Sequence, residues 1–312
     1  MSNQPLISVV MPAYNHECFV AETIDSVLCQ TWTNLELIII DDGSTDSTAE
    51  IIKTYDDPRV QYYYQENQDA FNALNNGMAK ATGEYIAIIN SDDVYHCKRF
   101  ERMISLMQEQ QAVCAFSNVS PIDADSKPLG DPDFGWNQWH QANRDFYYEK
   151  KGNLYRGFLH GNIMVTTSNL IMTADAMRKV GGFSSLRYLH DYDYIFRMML
   201  AYPEDVLYVD DEVLMNYRIH GGNTLSEAAI TGREQDLHVI RTYMLARCPE
   251  EFHDIINAGV DRLRTLDKEI TDVHEQVVAR QTAQKKPIDS IPTRTLLTTV
   301  MNRLKSRLLK AG

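Results

Sequence analysis

The sequence predicts an α/β fold built on a doubly wound, mainly parallel β-sheet, followed by a C-terminal helical extension. Three observations favour this class. Short β-rich runs alternate with helical patterns in the first third of the chain, the loops between them are short, and clusters of polar residues follow several strands. Such alternation is what a parallel sheet requires, because each parallel strand pair needs a crossover connection.

The first two strands are predicted from apolar runs. Residues 7–11 form a short β-rich run that ends at Pro12, and residues 17–30 then place apolar side chains at helical spacing. Residues 35–40 are continuously apolar, which is typical of a strand covered on both faces. The predicted order over residues 7–40 is therefore strand, loop, helix and strand.

Two further strands and two helices continue this pattern. We expect Ser44 or Asp46 to cap a second helix. A third strand at residues 60–64 leads to a helix over residues 70–81, and residues 85–89 form a fourth buried strand. All four strands precede the middle of the chain.

Polar clusters follow three of these strands, at residues 12–15, 41–46 and 90–93. Ligands of open α/β sheets bind beyond the carboxyl ends of the strands. Any one polar loop could be explained by solvation alone, but three loops converging on one edge indicate a binding site.

The composition excludes several classes of protein. The chain has 312 residues, 44% of them hydrophobic and 23% charged, which is an ordinary globular balance. Its net charge of −13 argues against a nucleic-acid partner, since phosphate neutralisation needs clustered Lys and Arg. The apolar runs fall short of the roughly 20 residues of a transmembrane helix, and no signal peptide is recognisable. We therefore expect a cytoplasmic protein, whose five scattered cysteines predict neither disulfides nor a zinc site.

The second half of the chain changes character twice. Residues 121–157 look like a long irregular insertion, because Pro and Gly residues are followed by a cluster of aromatic residues. From about residue 227 onward the pattern is helical. We therefore divide the chain into a domain of residues 1–226 and an extension of residues 227–312.

The extension carries two helical patterns. Residues 256–277 repeat apolar side chains at alternating spacings of three and four, a heptad-like seam that favours pairing of two copies. After Pro287 and Pro292, residues 293–310 place Leu, Val and Met on one face with Arg and Lys around them. Such a helix either packs on protein or lies in an anionic membrane surface.

Common nucleotide-binding and hydrolase motifs are missing from the sequence. It contains no GxGxxG after the first strand, no GxxxxGK[ST], no HExxH and no GxSxG. Carboxylates are present instead. The pair Asp92 and Asp93 at a strand end has the oxygen atoms that hold a hard divalent cation and a ribose hydroxyl. Asp42, one loop away, is placed to accept hydrogen bonds from a base or ribose.

Six segments of the chain, in this order, resemble the family 2 glycosyltransferases with the GT-A nucleotide-sugar fold. They are Pro12-Ala13-Tyr14-Asn15, residues 41–46, residues 83–93, Gly181-Gly182-Phe183, His190-Asp191-Tyr192-Asp193 and Tyr217-Arg218-Ile219-His220. The series spans roughly residues 5–225 and does not reach the extension.

The resemblance implies inverting transfer of a sugar from a nucleoside diphosphate sugar to an acceptor hydroxyl, with Mg²⁺ or Mn²⁺ as cofactor. Residues 1–120 would hold the donor. The donor-binding residues would be Pro12, Tyr14, Asn15, Asp42, Asp92, Arg218 and His220. Asp93 would ligate the metal, with His220 closing over the diphosphate or metal. Asp191 matches the family's catalytic base, which takes the acceptor proton while a separate charge stabilises the departing diphosphate.

The acceptor would lie against residues 121–226. Candidate contacts are His190, Asp193, Trp136 and Trp139. The family commonly has Glu where this chain has His190, so we expect a neighbouring acceptor contact to differ. Asp193 is the alternative base if the loop is shifted. The two tryptophans either pack the insertion down or offer a flat face to a sugar ring.

The expected partners follow from this resemblance. They are the nucleotide-sugar donor, a glycan or lipid-linked acceptor of surface polysaccharide assembly, a second copy of the chain, and the inner face of a membrane. Two other functions stay open. A nucleotidyltransferase would want a glycine-rich basic loop, whereas residues 12–18 contain no Gly, Lys or Arg. A non-catalytic sugar-nucleotide-binding or scaffold protein is favoured only by His190 and the helical tail.

Overall fold

The computed structural model describes residues 4–186 and 189–221, together with Val239, Thr242 and Tyr243. The chain divides into two compact units, Met1–Ala228 and Ala229–Gly312, and the elements described below belong to the first. The heptad-like seam and the basic tail lie outside the described residues. Within the described ranges, no helix combines the length and the apolar character needed to cross a bilayer.

Eight strands and eight α-helices make up the described part of the first unit. In chain order they are β1 (Ile7–Ala13), α1 (Val20–Leu28), β2 (Leu35–Asp42), α2 (Thr48–Ile52), β3 (Val60–Gln65), α3 (Ala70–Met78), β4 (Tyr85–Ile88), β5 (Val94–Tyr95), α4 (Arg99–Gln110), β6 (Cys114–Ile122), α5 (Gly135–Glu149), α6 (Leu154–His160), β7 (Ile171–Thr173), α7 (Ala174–Val180), α8 (His190–Ala201) and β8 (Val206–Arg218).

The strands form one sheet in the order β3-β2-β1-β4-β7-β6-β8-β5. Strands β1 to β4 pair in parallel, with β1 between β2 and β4. The other half is mixed, because β6 and β8 are parallel whereas β7 runs antiparallel to both β4 and β6. The predicted α/β class with a mainly parallel sheet is confirmed.

Strands β1 and β2 are buried because helices cover both faces of the sheet. Leu37 and Ile39 belong to the same core as α1, whereas Ile38 and Ile40 pack in a smaller cluster with Ala73 of α3. Successive side chains of a strand point to opposite faces, so a continuous apolar run is needed. Helix α3 lies very close to the sheet, since a Cβ on its Gly77 would come within 2.3 Å of a methyl group of Val10 on β1.

The expectation of an irregular insertion at residues 121–157 is wrong for most of that segment. Helices α5 and α6 occupy it and pack against each other. Helix α5 buries His140 and Asn143, one helical turn apart. A helix whose buried positions are polar or aromatic has no aliphatic stripe, so hydrophobic periodicity does not reveal it.

Candidate active site

The loops that follow β1 and β2 are hydrogen-bonded into one unit at the carboxyl edge of the sheet. The Asn15 N–H donates to Ser44 Oγ at 3.1 Å, and the Thr45 N–H donates to Asn15 Oδ1 at 2.8 Å. The His16 N–H donates to Thr48 Oγ1 at 2.8 Å. These bonds hold the two predicted donor loops together and fix the start of α1 against α2.

The three predicted donor residues after β1 have different surroundings. Pro12 is buried at the end of the strand, and Asn15 uses its side-chain oxygen to hold the neighbouring loop. Tyr14 is 47% exposed, so a ligand can cover its ring. Pro12 and Asn15 therefore shape the loop that presents Tyr14.

Asp42 is the last residue of β2, and two hydrogen bonds reach one oxygen of its carboxyl group. Its Oδ1 accepts hydrogen bonds from Gln65 Nε2 at 2.6 Å and from the Gln68 N–H at 2.9 Å. Gln65 is itself oriented, because Asn76 Nδ2 donates to its Oε1 at 2.6 Å. Burial raises the pKa of Asp42, while the bonds from Gln68 and Gln65 lower it. The carboxyl group is fixed in orientation by Gln65 and Gln68.

Three side chains from separate parts of the chain meet above β4. One ligand atom from each of His16, Asp92 and His220 lies within 4.8 Å of the other two. His220 Nε2 is 3.0 Å from Asp92 Oδ2, and His16 Nδ1 is 2.8 Å from Ser91 Oγ. Two imidazoles and a carboxylate at this spacing have the donor set and the separation of a divalent metal site.

The protonation states of Asp92 and His16 favour metal binding. Burial by itself would raise the pKa of Asp92, but the hydrogen bond from His220 and the charge of His16 bring it below its ordinary value. Burial lowers the pKa of His16, although the Asp92 charge opposes this. An ionised carboxylate and a neutral imidazole are the forms that bind metal ions.

Asp93, which the resemblance makes the metal ligand, is not one of these three side chains. Its side chain is fully buried, and its Oδ2 accepts a hydrogen bond from Ser168 Oγ at 2.5 Å. Its Oδ1 accepts one from the Arg218 N–H at 3.0 Å. Burial and the neighbouring Asp92 charge raise the pKa of Asp93 well above its usual range. The geometry thus favours Asp92 as ligand, with Asp93 joining β4 to β8.

Arg218, predicted to bind the donor, makes hydrogen bonds within the protein. Its guanidinium is buried and donates to the Asp92 carbonyl at 2.7 Å, to the Asp123 carbonyl at 3.1 Å and to Glu22 Oε2 at 2.6 Å. These partners occupy all three of its nitrogens. Arg218 therefore ties the Asp92 loop to α1 and to the turn after β6, and leaves no nitrogen for a diphosphate.

Asp191 lies in the first turn of α8. Its Oδ2 accepts a hydrogen bond from Asn162 Nδ2 at 2.8 Å, and its Oδ1 accepts one from the Tyr192 N–H at 2.7 Å. Burial raises the pKa of Asp191, while the His190 charge and these bonds lower it. A carboxylate whose pKa is raised toward the working pH is a better proton acceptor than a fully solvated one.

Asp193, the alternative base, and His190, which stands where the family commonly has Glu, have other partners. Asp193 is buried and accepts from Ser184 Oγ at 2.7 Å and from Arg197 Nε at 2.9 Å, one turn further along α8. These two donors hold the Asp193 carboxylate in an ion pair within α8 and against the turn before it. His190 lies 3.1 Å, through Nδ1, from the Leu186 carbonyl. The geometry therefore favours Asp191 over Asp193.

An aromatic stack joins α5 to β8. Burial raises the pKa of Tyr217 on β8, and the charges of Asp93, Asp92 and Asp191 raise it further. Trp136 of α5 stacks on Tyr217 with ring centroids 6.0 Å apart. Trp139, one turn along α5, is 42% exposed, so α5 brings one tryptophan into the stack and leaves the other at the surface.

Sequence reasoning assigned no role to four residues near the candidate site, His16, Asn162, Ser168 and Tyr217, although Tyr217 stands in the segment of residues 217–220 that carries the resemblance. His16 directly follows the polar cluster of residues 12–15, and histidine is a common metal ligand, so the sequence could have indicated it. Asn162 and Ser168 stand in a segment with no motif, and nothing in the sequence indicates that they reach Asp191 and Asp93.

Comparison with known proteins gives consistent results. A family model described as Glycosyl transferase family 2 matches residues 8–167. An uncharacterized glycosyltransferase of Rickettsia typhi is 32% identical over 227 residues, which cover 72% of this chain and 67% of that protein. TuaG of Bacillus subtilis, a putative teichuronic acid biosynthesis glycosyltransferase, is 36% identical over 129 residues, or 40% of this chain and 51% of that protein.

Two solved structures share the fold. Residues 1–349 of S. aureus TarS in complex with UDP-GlcNAc have a TM-score of 0.59 at 18% identity, covering 81% of this chain and 71% of that chain. The mannosyltransferase PcManGT of Pyrobaculum calidifontis, in complex with GDP-Man and Mn²⁺, has a TM-score of 0.57 at 17% identity. The match covers 96% of this chain and 80% of that chain. Both are GT-A glycosyltransferases, and the likeness identifies the sheet described above as the GT-A fold.

Proposed function

The chain belongs to glycosyl transferase family 2, and we propose that it moves a sugar, with inversion, from a nucleoside diphosphate sugar to an acceptor hydroxyl. The proposal depends chiefly on one observation. His16, Asp92 and His220 bring together the donor set of a divalent metal site, and the chain also supplies a separate, oriented carboxylate, Asp191, as the candidate base. Single displacement needs this pairing, because the base activates the incoming hydroxyl while a cation stabilises the leaving group.

The donor half of the cleft favours a particular kind of base. The Asp42 carboxylate, oriented by Gln65 and Gln68, is an acceptor of N–H groups. Uracil and guanine present ring N–H donors, whereas cytosine and adenine present unprotonated ring nitrogens. We therefore favour uridine or guanosine diphosphate sugars, with the base lying near Tyr14. TarS with UDP-GlcNAc and PcManGT with GDP-Man fit this choice.

The cation would be held by His16, Asp92 and His220. Two imidazole nitrogens and one carboxylate favour Mn²⁺ over Mg²⁺, because Mg²⁺ prefers oxygen ligands and keeps much of its water. When bound, the cation supplies positive charge to the departing diphosphate. The protein's own part is to keep Asp92 ionised and the His16 ring oriented by Ser91.

Asp191 would take the proton of the acceptor hydroxyl. Its carboxyl is oriented by Asn162 and the Tyr192 amide. Trp139, exposed on α5, would offer the acceptor a stacking surface. The acceptor class we favour is a glycan or lipid-linked glycan of polysaccharide assembly, as the similarity to TuaG suggests.

A transfer assay tests this function. We would measure release of nucleoside diphosphate from UDP-GlcNAc, UDP-glucose and GDP-mannose with Mn²⁺, using water and p-nitrophenyl hexosides as acceptors. Wild type should consume at least one donor, and proton NMR should show an inverted anomeric centre in the product. Asp191→Asn should lower the rate roughly 100- to 10,000-fold.

Asp175→Asn is the matched control, because Asp175 forms an exposed ion pair with Arg178 on α7. It should leave the rate unchanged. Wild-type activity in Asp191→Asn, or a product with retained configuration, would contradict the mechanism. Donor binding without any turnover would favour the non-catalytic alternative.

A further inference from the structure

The amide of Asn162 touches the candidate base and no motif marks it. Asn162 follows α6 and donates through Nδ2 to Asp191 Oδ2 at 2.8 Å. An ionised carboxylate only accepts hydrogen bonds, so the amide must turn its nitrogen toward Asp191. The amide oxygen, Asn162 Oδ1, then points away from Asp191.

That orientation leaves a buried atom unsatisfied. Asn162 Oδ1 is buried, and among the described residues it has no hydrogen-bond partner. An unpaired buried oxygen costs stability, so a residue selected for the fold alone would satisfy both ends of its amide. The bond to Asp191 is therefore the one contact that accounts for an asparagine here.

The chain around Asn162 is strained and joins both halves of the cleft. Val165 has a φ of 74°, a left-handed conformation that β-branched residues rarely adopt. Just after it, Thr166 accepts a hydrogen bond from Asn90, and Ser168 donates to Asp93. Strain of this kind persists only where the surroundings determine the conformation, and it clusters at functional sites.

We propose that Asn162 is a positioning residue for the base, holding the Asp191 carboxylate in the orientation from which it takes the acceptor proton. This inference rests on the proposed function, in which Asp191 is the base. The strained turn at Val165 keeps the amide in register with the Asp93 side of the cleft.

A positioning role predicts a change in the titration of Asp191. The titratable groups that face it are His190 on its own helix and Tyr217 on β8, and the Asn162 amide is the neutral donor. A hydrogen bond to the ionised form favours that form. Removing the bond should therefore raise the pKa of Asp191 and move the acid limb of the pH–rate profile to higher pH.

The test compares Asn162→Ala and Asn162→Asp with wild type. Asn162→Ala should lower kcat about tenfold, leave the KM for the donor unchanged and move the acid limb up by roughly one pH unit. Asn162→Asp has almost the same size but places a second carboxylate beside Asp191, so its acid limb should move further. Asn153→Ala is the control, since Asn153 caps α6 through the Arg156 N–H on the same stretch of chain.

A second readout does not depend on turnover. Carbon-13 NMR of the Asp191 carboxyl group should show an upward pKa change in both Asn162 variants, larger in Asn162→Asp, and none in Asn153→Ala. An unchanged Asp191 titration in folded Asn162 variants would overturn the inference. If wild type consumes no donor, the proposed function fails, and the NMR titration still decides whether Asn162 controls the carboxyl group.

Discussion

Asp92 and Asp93 are neighbours in sequence but have opposite surroundings. Asp92 meets His16 and His220, whereas Asp93 is enclosed by Ser168 and the Arg218 amide. The sequence predicts that an acidic pair lies at this sheet edge. It does not predict which carboxylate binds a ligand, because the groups that enclose Asp93 stand 75 and 125 residues further along the chain.

Matched alanine variants of the pair separate the two roles. Asp92→Ala should weaken Mn²⁺ binding about tenfold or more, because it removes the carboxylate of the candidate metal site. Asp93→Ala should leave Mn²⁺ affinity within about threefold and lower the free energy of unfolding by about 1–3 kcal/mol, since it leaves buried donors unpaired. Calorimetric Mn²⁺ titration and urea unfolding measure the two quantities. The opposite pattern would restore Asp93 as the ligand.

His140 makes stability depend on pH. Its Nε2 donates to Asn118 Oδ1 at 2.9 Å, and burial, with the nearby Arg144 charge, lowers its pKa from 6.5 to about 4. The unfolded chain therefore binds a proton at a higher pH than the folded chain. Stability from this residue is fully present above pH 6.5 and is lost as the pH falls toward 4, by at most about 3 kcal/mol.

Urea unfolding of wild type and His140→Gln between pH 7.5 and about 4 measures this loss. The variant cannot take up a proton at this position, so its stability should fall less steeply over the same range. Parallel curves for the two proteins would show that His140 does not titrate as its burial indicates.

Whether the sequence predicts a given helix or strand depends on which kind of side chain that element buries. Strands β1 and β2 are recognisable because aliphatic side chains cover both faces. Strands β6 and β8 were not identified. β6 places Ser117 and Asn118 where its pairing with β8 shifts register, and its polar residues break the apolar run. Helix α5 was hidden for a related reason, because its buried positions are His140 and Asn143.

The two tryptophans of α5 should respond differently to removal. Trp136 stacks between Tyr217 and His140, so Trp136→Ala should lower the free energy of unfolding by about 2–4 kcal/mol. Trp139 is 42% exposed, so Trp139→Ala should change it by less than about 0.5 kcal/mol. If Trp139 contacts the acceptor, its variant should raise the acceptor KM without changing the donor KM. Equal destabilisation by both variants would contradict the account of α5.

For the whole molecule, the two halves of the cleft differ in how they are encoded. The proposed donor half uses loops that directly follow β1, β2 and β4, so contiguous motifs indicate it. The proposed acceptor half combines the segment after α6, the start of α8 and the end of β8, which only folding brings together. The sequence therefore singles out Asp42 and Asp191 as candidate site residues and includes Tyr217 in a resembling segment without a role, but it gives no signal for Asn162.

The extension contributes a further prediction at this scale, made from sequence alone. Truncation after Pro287 removes the stripe of Leu, Val and Met surrounded by Arg and Lys in residues 293–310. Turnover with p-nitrophenyl hexosides should stay largely intact, whereas sedimentation with anionic liposomes at low salt should fall. If full-length and truncated proteins both stay in the supernatant, the stripe is a packing surface.

Donor binding by two single variants tests most directly whether the cleft divides into a metal half and a base half. The measurement is calorimetric titration, in Mn²⁺, of the donor that wild type consumes. Asp191→Asn should bind that donor as tightly as wild type while failing to consume it, and Asp92→Asn should bind it about tenfold more weakly or worse. Wild-type donor affinity in Asp92→Asn, or an affinity of wild type that chelator leaves unchanged, would contradict the metal site and with it the proposed division of the cleft.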